Sequence, residues 1–523
     1  MKRRQFLRAT PVAAVAAAGA ASLYGRRASA QPFGDPIMPS YSKVLLPPAA
    51  RSQNILECFL YGGLTLWESF YCVKEYGTAD DPEPSFRNTQ LYTFFNAKST
   101  KLVTALKACG TLAPDGDLFS LVKPFAKDAL GAQVNFGPLL PLFSARPDLV
   151  ARTRLVVNRH DLEPHEAAIP FAMCGRRLGS PTMASLGAHI QRWALEHDTT
   201  NRRSPFSYAF ASNYFPSDNV RATVANGVHP GSARPLFIKV DDASRLTSLI
   251  ARGTVGEHRA EYDALLDVYV QQYRDRLKFA GAGMPLRSPK LGDVAQGAAS
   301  VRDADAVAKV FDPALFTKVT DTFCGDTNLN VPAMSLRLAT HLLTHPTEPA
   351  RWCCFVDPGL KTADGGGGYD THAENSHTQA RNFTNFLTYL LKYINAPGEN
   401  DPAKIDLDKT MIVLNMEFGR SPTAQDGGQG RNHWPYGYVQ IYIGGSIGPA
   451  QAGIYGAIGP DGYAPDGMYT TPAENRIACL LAMGIWPFSP DAFGVGDVQN
   501  VSNEIDAVVS VTQRVLGHTE VTA

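Results

Sequence analysis

The sequence predicts an α/β protein: a doubly wound mixed sheet with helices on both faces, interrupted by a mostly helical insertion. Three observations predict it. Apolar runs are continuous rather than alternating, as strands covered on both faces require. Each run ends in a polar or glycine-rich loop that leads into a helical pattern. Between about 205 and 345 the texture changes: Tyr262, Leu265, Leu266, Tyr269, Tyr273 and Leu277 recur at helical spacing between Gly-, Pro- and Ser-rich flanks.

Taken in order, Ile55-Leu56-Glu57-Cys58-Phe59-Leu60-Tyr61 runs into Gly62-Gly63, and Arg154-Leu155-Val156-Val157-Asn158 into Arg159-His160. Arg351-Trp352-Cys353-Cys354-Phe355-Val356 leads to the glycine run Gly365–Gly368. Thr410-Met411-Ile412-Val413-Leu414-Asn415-Met416 ends at Glu417, and Tyr438-Val439-Gln440-Ile441-Tyr442-Ile443 ends at Gly444-Gly445. These runs place a core over 31–204 and 346–523, with 205–345 as an insertion or cap packed on the sheet domain.

Composition fits a globular chain: 523 residues, 44% hydrophobic and 19% charged, with 49 basic against 49 acidic side chains. That balance conceals a basic leader. Residues 1–30 hold six basic side chains (Lys2, Arg3, Arg4, Arg8, Arg26, Arg27) and no acid, leaving 43 basic against 49 acidic beyond them. The leader places Arg3-Arg4-Gln5-Phe6-Leu7 before a weakly apolar Val12–Leu23 run and Ala28-Ser29-Ala30. It resembles a twin-arginine export signal with an A-x-A cleavage site. The resemblance implies the twin-arginine machinery as a partner and a periplasmic or secreted destination. The apolar run is far short of the ~20 residues of a membrane span, so no stable span is expected.

An acidic remainder without a basic stripe argues against nucleic acid as a partner. The glycine run lacks G-x-G-x-x-G spacing, which argues against a dinucleotide. Eight cysteines (58, 72, 109, 174, 324, 353, 354, 479) include no C-x-x-C pair, so most are expected to be small buried apolar residues.

Ligands of open α/β sheets collect outside the carboxyl ends of the strands. There the sequence places His160 and His165, then Asp370 and His372, then Glu417, with His433 ahead of the last strand. Imidazoles and carboxylates arriving from separate strands suit a divalent metal such as Zn, Mn or Ca. Each also has a plainer role. His160 and His165 are equally readable as caps or core histidines, Asp370 as a helix cap, and His433 as an aromatic stack beside Trp434. Glu417 is the hardest to explain that way, because a carboxylate behind an apolar strand needs a cation or donors.

The blocks Gly368-Tyr369-Asp370-Thr371-His372, Glu417-Phe418-Gly419-Arg420-Ser421-Pro422, Asn432-His433-Trp434-Pro435 and Gly444-Gly445 resemble those of an exported bacterial family, domain of unknown function 1501. Gly62-Gly63, His165, Ser180-Pro181 and Ser185-Leu186-Gly187 match it more loosely. That family is assigned to the alkaline phosphatase/sulfatase superfamily. The resemblance implies an alkaline phosphatase-like fold and a metal site that stabilises charge on a phosphoryl or sulfuryl group.

By that resemblance Asp370, His372 and His433 hold one metal and Glu417 stands for the superfamily's aspartate after the fourth strand. Phe418 replaces a further ligand. Glu68 stands where the family has an aspartate, and its extra methylene puts a second metal in doubt. His165 occupies the nucleophile's position, with three roles open: metal ligand, general acid/base, or phosphoryl acceptor. Thr65 is a second candidate nucleophile. Arg420 is placed either to pair with an oxyanion or to form a structural salt bridge. No C-x-P-x-R motif occurs, which leaves a formylglycine mechanism unsupported. The expected function is an exported metal-dependent hydrolase acting on a small-molecule or polymer phosphate or sulfate ester. The alternative is a non-catalytic binding or structural protein on the same scaffold.

Overall fold

The computed structural model describes residues 43–76, 100–180, 183–197, 209–211, 236–240, 258, 260–262, 264–265, 267–269, 272, 310–320, 322–360, 367–422, 425, 430–489 and 492–521. The expected export signal, residues 1–30, lies outside them, as does most of the 205–345 interval.

Eight strands make the main sheet: β1 (Asn54–Leu60), β2 (Thr153–Asn158), β3 (Ala209–Ala211), β4 (Leu236–Ile238), β5 (Trp352–Asp357), β6 (Thr410–Asn415), β7 (Tyr438–Ile443) and β8 (Gly453–Tyr455). Their order is β8-β2-β7-β6-β1-β5-β3-β4. The sheet is mixed. β1 pairs in parallel with β5 and β6, whereas β7 runs antiparallel to both β2 and β6. Consequently the carboxyl ends of β1, β2, β5 and β6 and the amino end of β7 share one edge. There Leu60 lies opposite Asp357, Phe59 opposite Asn415, and Asn158 opposite Tyr438.

Strands β2, β5, β6 and β7 are buried at every position, which explains their unbroken apolarity. Alternate side chains enter two layers. Leu56, Cys58 and Leu60 join a core with the helices α3 (Val331–Thr344) and α4 (Asn375–Lys392), which follow α1 (His165–Cys174) and α2 (Leu186–His197) in the chain. Ile55, Phe59 and Tyr61 face the other way, into a core with α1, α2, α5 (Pro472–Ala482) and α6 (Glu504–Arg514). The helix starts are written locally. Asn330 caps α3 through Ala333 N–H, and Thr471 with Glu474 closes a capping box on α5 ahead of Pro472.

Glu57 places a carboxylate in the sheet interior. Fully buried in β1, it pairs with Arg476 of α5 at 2.7 Å and accepts from Asn415 at 2.7 Å and Trp352 at 3.1 Å. Those partners make its burial tolerable and pin α5 to the sheet.

The described parts of the 205–345 interval, expected to be mostly helical, include two short strands beside helical residues. β3 pairs with β5 and β4 with β3, extending the sheet past β5, and α3 packs in the same core. The physical reason is that β5 is buried on both faces and its outer edge needs a partner. Tyr262, Leu265 and Tyr269 are helical as expected, but exposed rather than packed on the sheet, at 70%, 65% and 65%. Leu266, Tyr273 and Leu277 lie outside the described residues. Cys109 and Cys324 form a disulfide, and the other six cysteines are free and buried. Among the described residues no helix is long and apolar enough to cross a membrane.

Candidate metal centre

Four loops meet at the carboxyl edge of the sheet. The turn after β1 carries Gly62 and Gly63 at φ +104° and +85°, conformations open to glycine. Gly62 also needs its missing Cβ, because a side chain there would run into the backbone of Asp370. Its N–H donates to Glu417 Oε1 at 2.8 Å, and its carbonyl accepts from Arg420. The loop after β5 is stapled at its base: Tyr369 donates its hydroxyl to Asp357 at 2.6 Å and its N–H to the Tyr61 carbonyl at 2.9 Å. Burial pushes the Asp357 carboxyl up to about 7. The next residue is Asp370.

Asp370 is the hub. His165 Nε2 lies 3.1 Å from its Oδ2, while His372 Nε2 and His433 Nε2 lie 3.0 and 3.2 Å from its Oδ1. The two latter nitrogens are 3.2 Å from each other. Ligand atoms of His165, Asp370 and His433 all fall within 4.8 Å of one another, forming a candidate metal-binding triad. Ligands about 2.0–2.1 Å from one tetrahedral ion stand roughly 3.3 Å apart, close to the contacts seen.

Each imidazole is oriented from behind. His433 Nδ1–H donates to the Glu163 carbonyl at 2.8 Å, His372 Nδ1 meets Gln425 Oε1 at 2.9 Å, and His165 Nδ1 meets Glu417 Oε1 at 2.9 Å. With each Nδ1 turned to an oxygen, Nε2 is the inward-facing atom, as in histidines that bind a metal. Burial alone would lower His165, but its hydrogen bonds to Asp370 and Glu417 outweigh burial and raise it to about 9. For Asp370, burial raises the carboxyl. The bonds from His165 and His433 and the Arg420 charge more than reverse that, holding it far below the usual carboxylate range.

A family model described as protein of unknown function (DUF1501) matches residues 132–485, more than half of the chain. The chain belongs to the DUF1501 family. Comparisons with curated proteins and with solved structures return no match.

Within this DUF1501 chain the expected residues take distinct places. Asp370, His372, His433 and His165 converge. Glu417, fully buried, falls outside the triad and stands behind His165; its second oxygen, Oε2, is buried without a hydrogen-bond partner. Glu68 belongs to a neighbouring network, where its carboxylate pairs with Arg431 at 3.0 Å and accepts from Ser376 at 2.9 Å, from Asn375 at 3.3 Å and from the buried Thr65 hydroxyl. Arg420 is wholly buried; its guanidinium binds Asp370, the Gly62 carbonyl and, at 3.0 Å, the Arg431 carbonyl. It forms a buried salt bridge with Asp370.

Phe418 stacks on the His433 ring at 4.2 Å and tilts against His165 at 5.1 Å. His160 is a supporting residue: Nε2–H donates to the Glu417 carbonyl at 2.7 Å, Nδ1 accepts from Leu162 N–H at 3.0 Å, and burial lowers it to about 4. Sequence reasoning missed Gln425 and Glu163. Gln425 sits in an unremarkable polar loop, and Glu163 acts on His433 through its backbone, which no side-chain pattern can signal.

Proposed function

We propose that this chain is an exported, metal-dependent hydrolase of phosphate or sulfate esters built on an alkaline phosphatase-like core. The observation that carries this reading is the convergence of three imidazole Nε2 atoms on Asp370, each imidazole backed by an oxygen at Nδ1. His165, Asp370, His433 and His372 would hold the cation. A donor set with three nitrogens suits Zn or Mn better than Ca, which prefers oxygen ligands. One ion fits better than two, because Glu68 is already neutralised by Arg431 and Phe418 presents a ring where a ligand would be needed.

When bound, the cation supplies charge that stabilises the anion developing on the transferred phosphoryl or sulfuryl group. The chain's own residues prepare the site. Arg420 keeps Asp370 ionised and fixed. Glu417 holds the Nδ1 proton of His165 and has a free oxygen at Oε2. His165, His372 and His433 are 13%, 28% and 15% exposed above a fully buried floor of Arg420 and Glu417. The basic leader supports export through the twin-arginine machinery to the periplasm or outside.

The test is hydrolysis of aryl phosphates and aryl sulfates by the purified mature protein, with and without chelator. Chelator-sensitive turnover that Asp370→Asn abolishes in a folded protein is the expected result. Absence of turnover on both ester classes refutes the hydrolase. The non-catalytic alternative is favoured by how fully His165, Asp370 and Arg420 satisfy one another, and it predicts that Asp370→Ala alters stability without loss of the biological role.

A further inference from the structure

One residue beyond His433 begins an aromatic cluster that the metal centre does not use. Trp434, Tyr436 and Tyr463 meet pairwise: Trp434 is edge-on to Tyr436 at 5.2 Å and to Tyr463 at 5.0 Å, and the two tyrosines stack at 5.3 Å. The rings are held in place. Trp434 Nε1–H donates to the Gly462 carbonyl at 2.7 Å, and the Tyr436 hydroxyl donates to Glu163 Oε1 at 2.7 Å. Glu163 is also the residue whose carbonyl holds His433 at 2.8 Å, so cluster and candidate ligand hang on a single residue. Tyr463 is 41% exposed, and Trp434 and Tyr436 are half-buried.

The surroundings are acidic. Asp161, Glu163, Asp461 and Asp466 are exposed along the same loops, and the nearby cations Arg177 and Arg159 are paired with Asp161 and Asp466. Rigid aromatic faces edged by carboxylates favour a ring with an apolar face and hydroxyl donors at its rim, and they disfavour a polyanion.

We propose that Trp434, Tyr436 and Tyr463 form a stacking platform for a neutral sugar ring, so that the ester presented to His433 and Asp370 is carried by a carbohydrate. This rests on the hydrolase reading above. Binding at a remote ring is the kind of interaction that positions an ester for reaction.

The experiment compares metal-loaded wild type, Tyr463→Ala and Tyr463→Phe. Kinetics are measured on hexose 6-phosphate and hexose 6-sulfate against ethyl phosphate and ethyl sulfate. Saturation-transfer NMR with a neutral glucan tetrasaccharide reads binding without turnover. For the hexose esters Y463A should raise KM about tenfold, the size of one aromatic contact, with kcat little changed. Y463F should behave as wild type, and the ethyl esters should be indifferent to both changes. Saturation transfer to the glucan should disappear in Y463A. Hydrolysis with no Tyr463-dependent glucan contact overturns the platform alone. Tyr463-dependent contact with no hydrolysis of any ester overturns the hydrolase and keeps the platform. Neither signal overturns both.

Discussion

The Nε2 atoms of His372 and His433 lie 3.2 Å apart, and both also face Asp370 Oδ1. With His433 Nδ1 turned to the Glu163 carbonyl and His372 Nδ1 to Gln425 Oε1, both Nε2 atoms are turned inward toward the same carboxylate oxygen. A cation placed between them would bind both nitrogens. The paired imidazoles are the geometric support for the proposed metal centre.

Removing one inward-facing nitrogen should remove the metal and leave the fold. His433→Ala, half-buried at the sheet edge, is expected to retain wild-type far-ultraviolet dichroism while bound Zn or Mn falls well below wild type in elemental analysis. Retention of full metal content in that variant would move the centre elsewhere.

The residues behind the histidines should matter nearly as much. Gln425→Ala frees His372 Nδ1, and Glu417→Gln weakens the hold on His165. Each is expected to lower metal affinity roughly 10–100-fold. Competition with a chromogenic chelator measures this, and unchanged affinity in both would detach the supporting shell from function.

The pH dependence follows from His165. Its folded value, about 9, lies above the ordinary 6.5, so the folded state binds the proton more tightly than the unfolded one. Its contribution to stability is therefore complete below about pH 6.5 and is lost as pH rises toward 9. Urea denaturation of metal-free protein should show midpoints falling across that window. His165→Gln should flatten the trend. Metal binding, which displaces the same proton, should strengthen with pH and release about one proton near pH 7.

Gly62→Ala should disturb the site through the backbone. An alanine at φ +104° costs about 1–2 kcal/mol, and its Cβ meets the Asp370 main chain. Lowered metal affinity together with a reduced thermal midpoint is expected. A variant equal to wild type in both would show that the Gly62 and Asp370 loops are not tightly coupled.

Breaking the buried pair beneath the site should act on stability. Arg476→Met leaves Glu57 charged and fully buried with only Asn415 and Trp352 as donors, a loss of about 3–5 kcal/mol in chemical denaturation. Glu57→Gln with Arg476→Met together should recover part of that loss.

The strands were legible because two buried faces demand unbroken apolar runs, and the topology then brought their carboxyl ends to one edge. Asp370, His372, His433 and His165 followed from the same logic, since each stands just beyond or before a run. What sequence could not show was partnership. Glu68 and Glu417 are both carboxylates near strand ends, yet one is paired with Arg431 and the other backs His165, a difference set by contacts between residues hundreds of positions apart. The two short strands within 205–345 left no trace in the sequence for a related reason. Three-residue strands such as β3 and β4 are too short to leave a period, and they form because β5 offers them an edge.

The most direct measurement is anomalous scattering from crystals of the mature protein grown with Zn or Mn. A single strong peak within bonding distance of His165 Nε2, His433 Nε2 and Asp370, with His372 as the fourth donor, is the expected result. No peak there at saturating metal, with His165 still seated between Glu417 and Asp370, would contradict the metal centre and the hydrolase built on it.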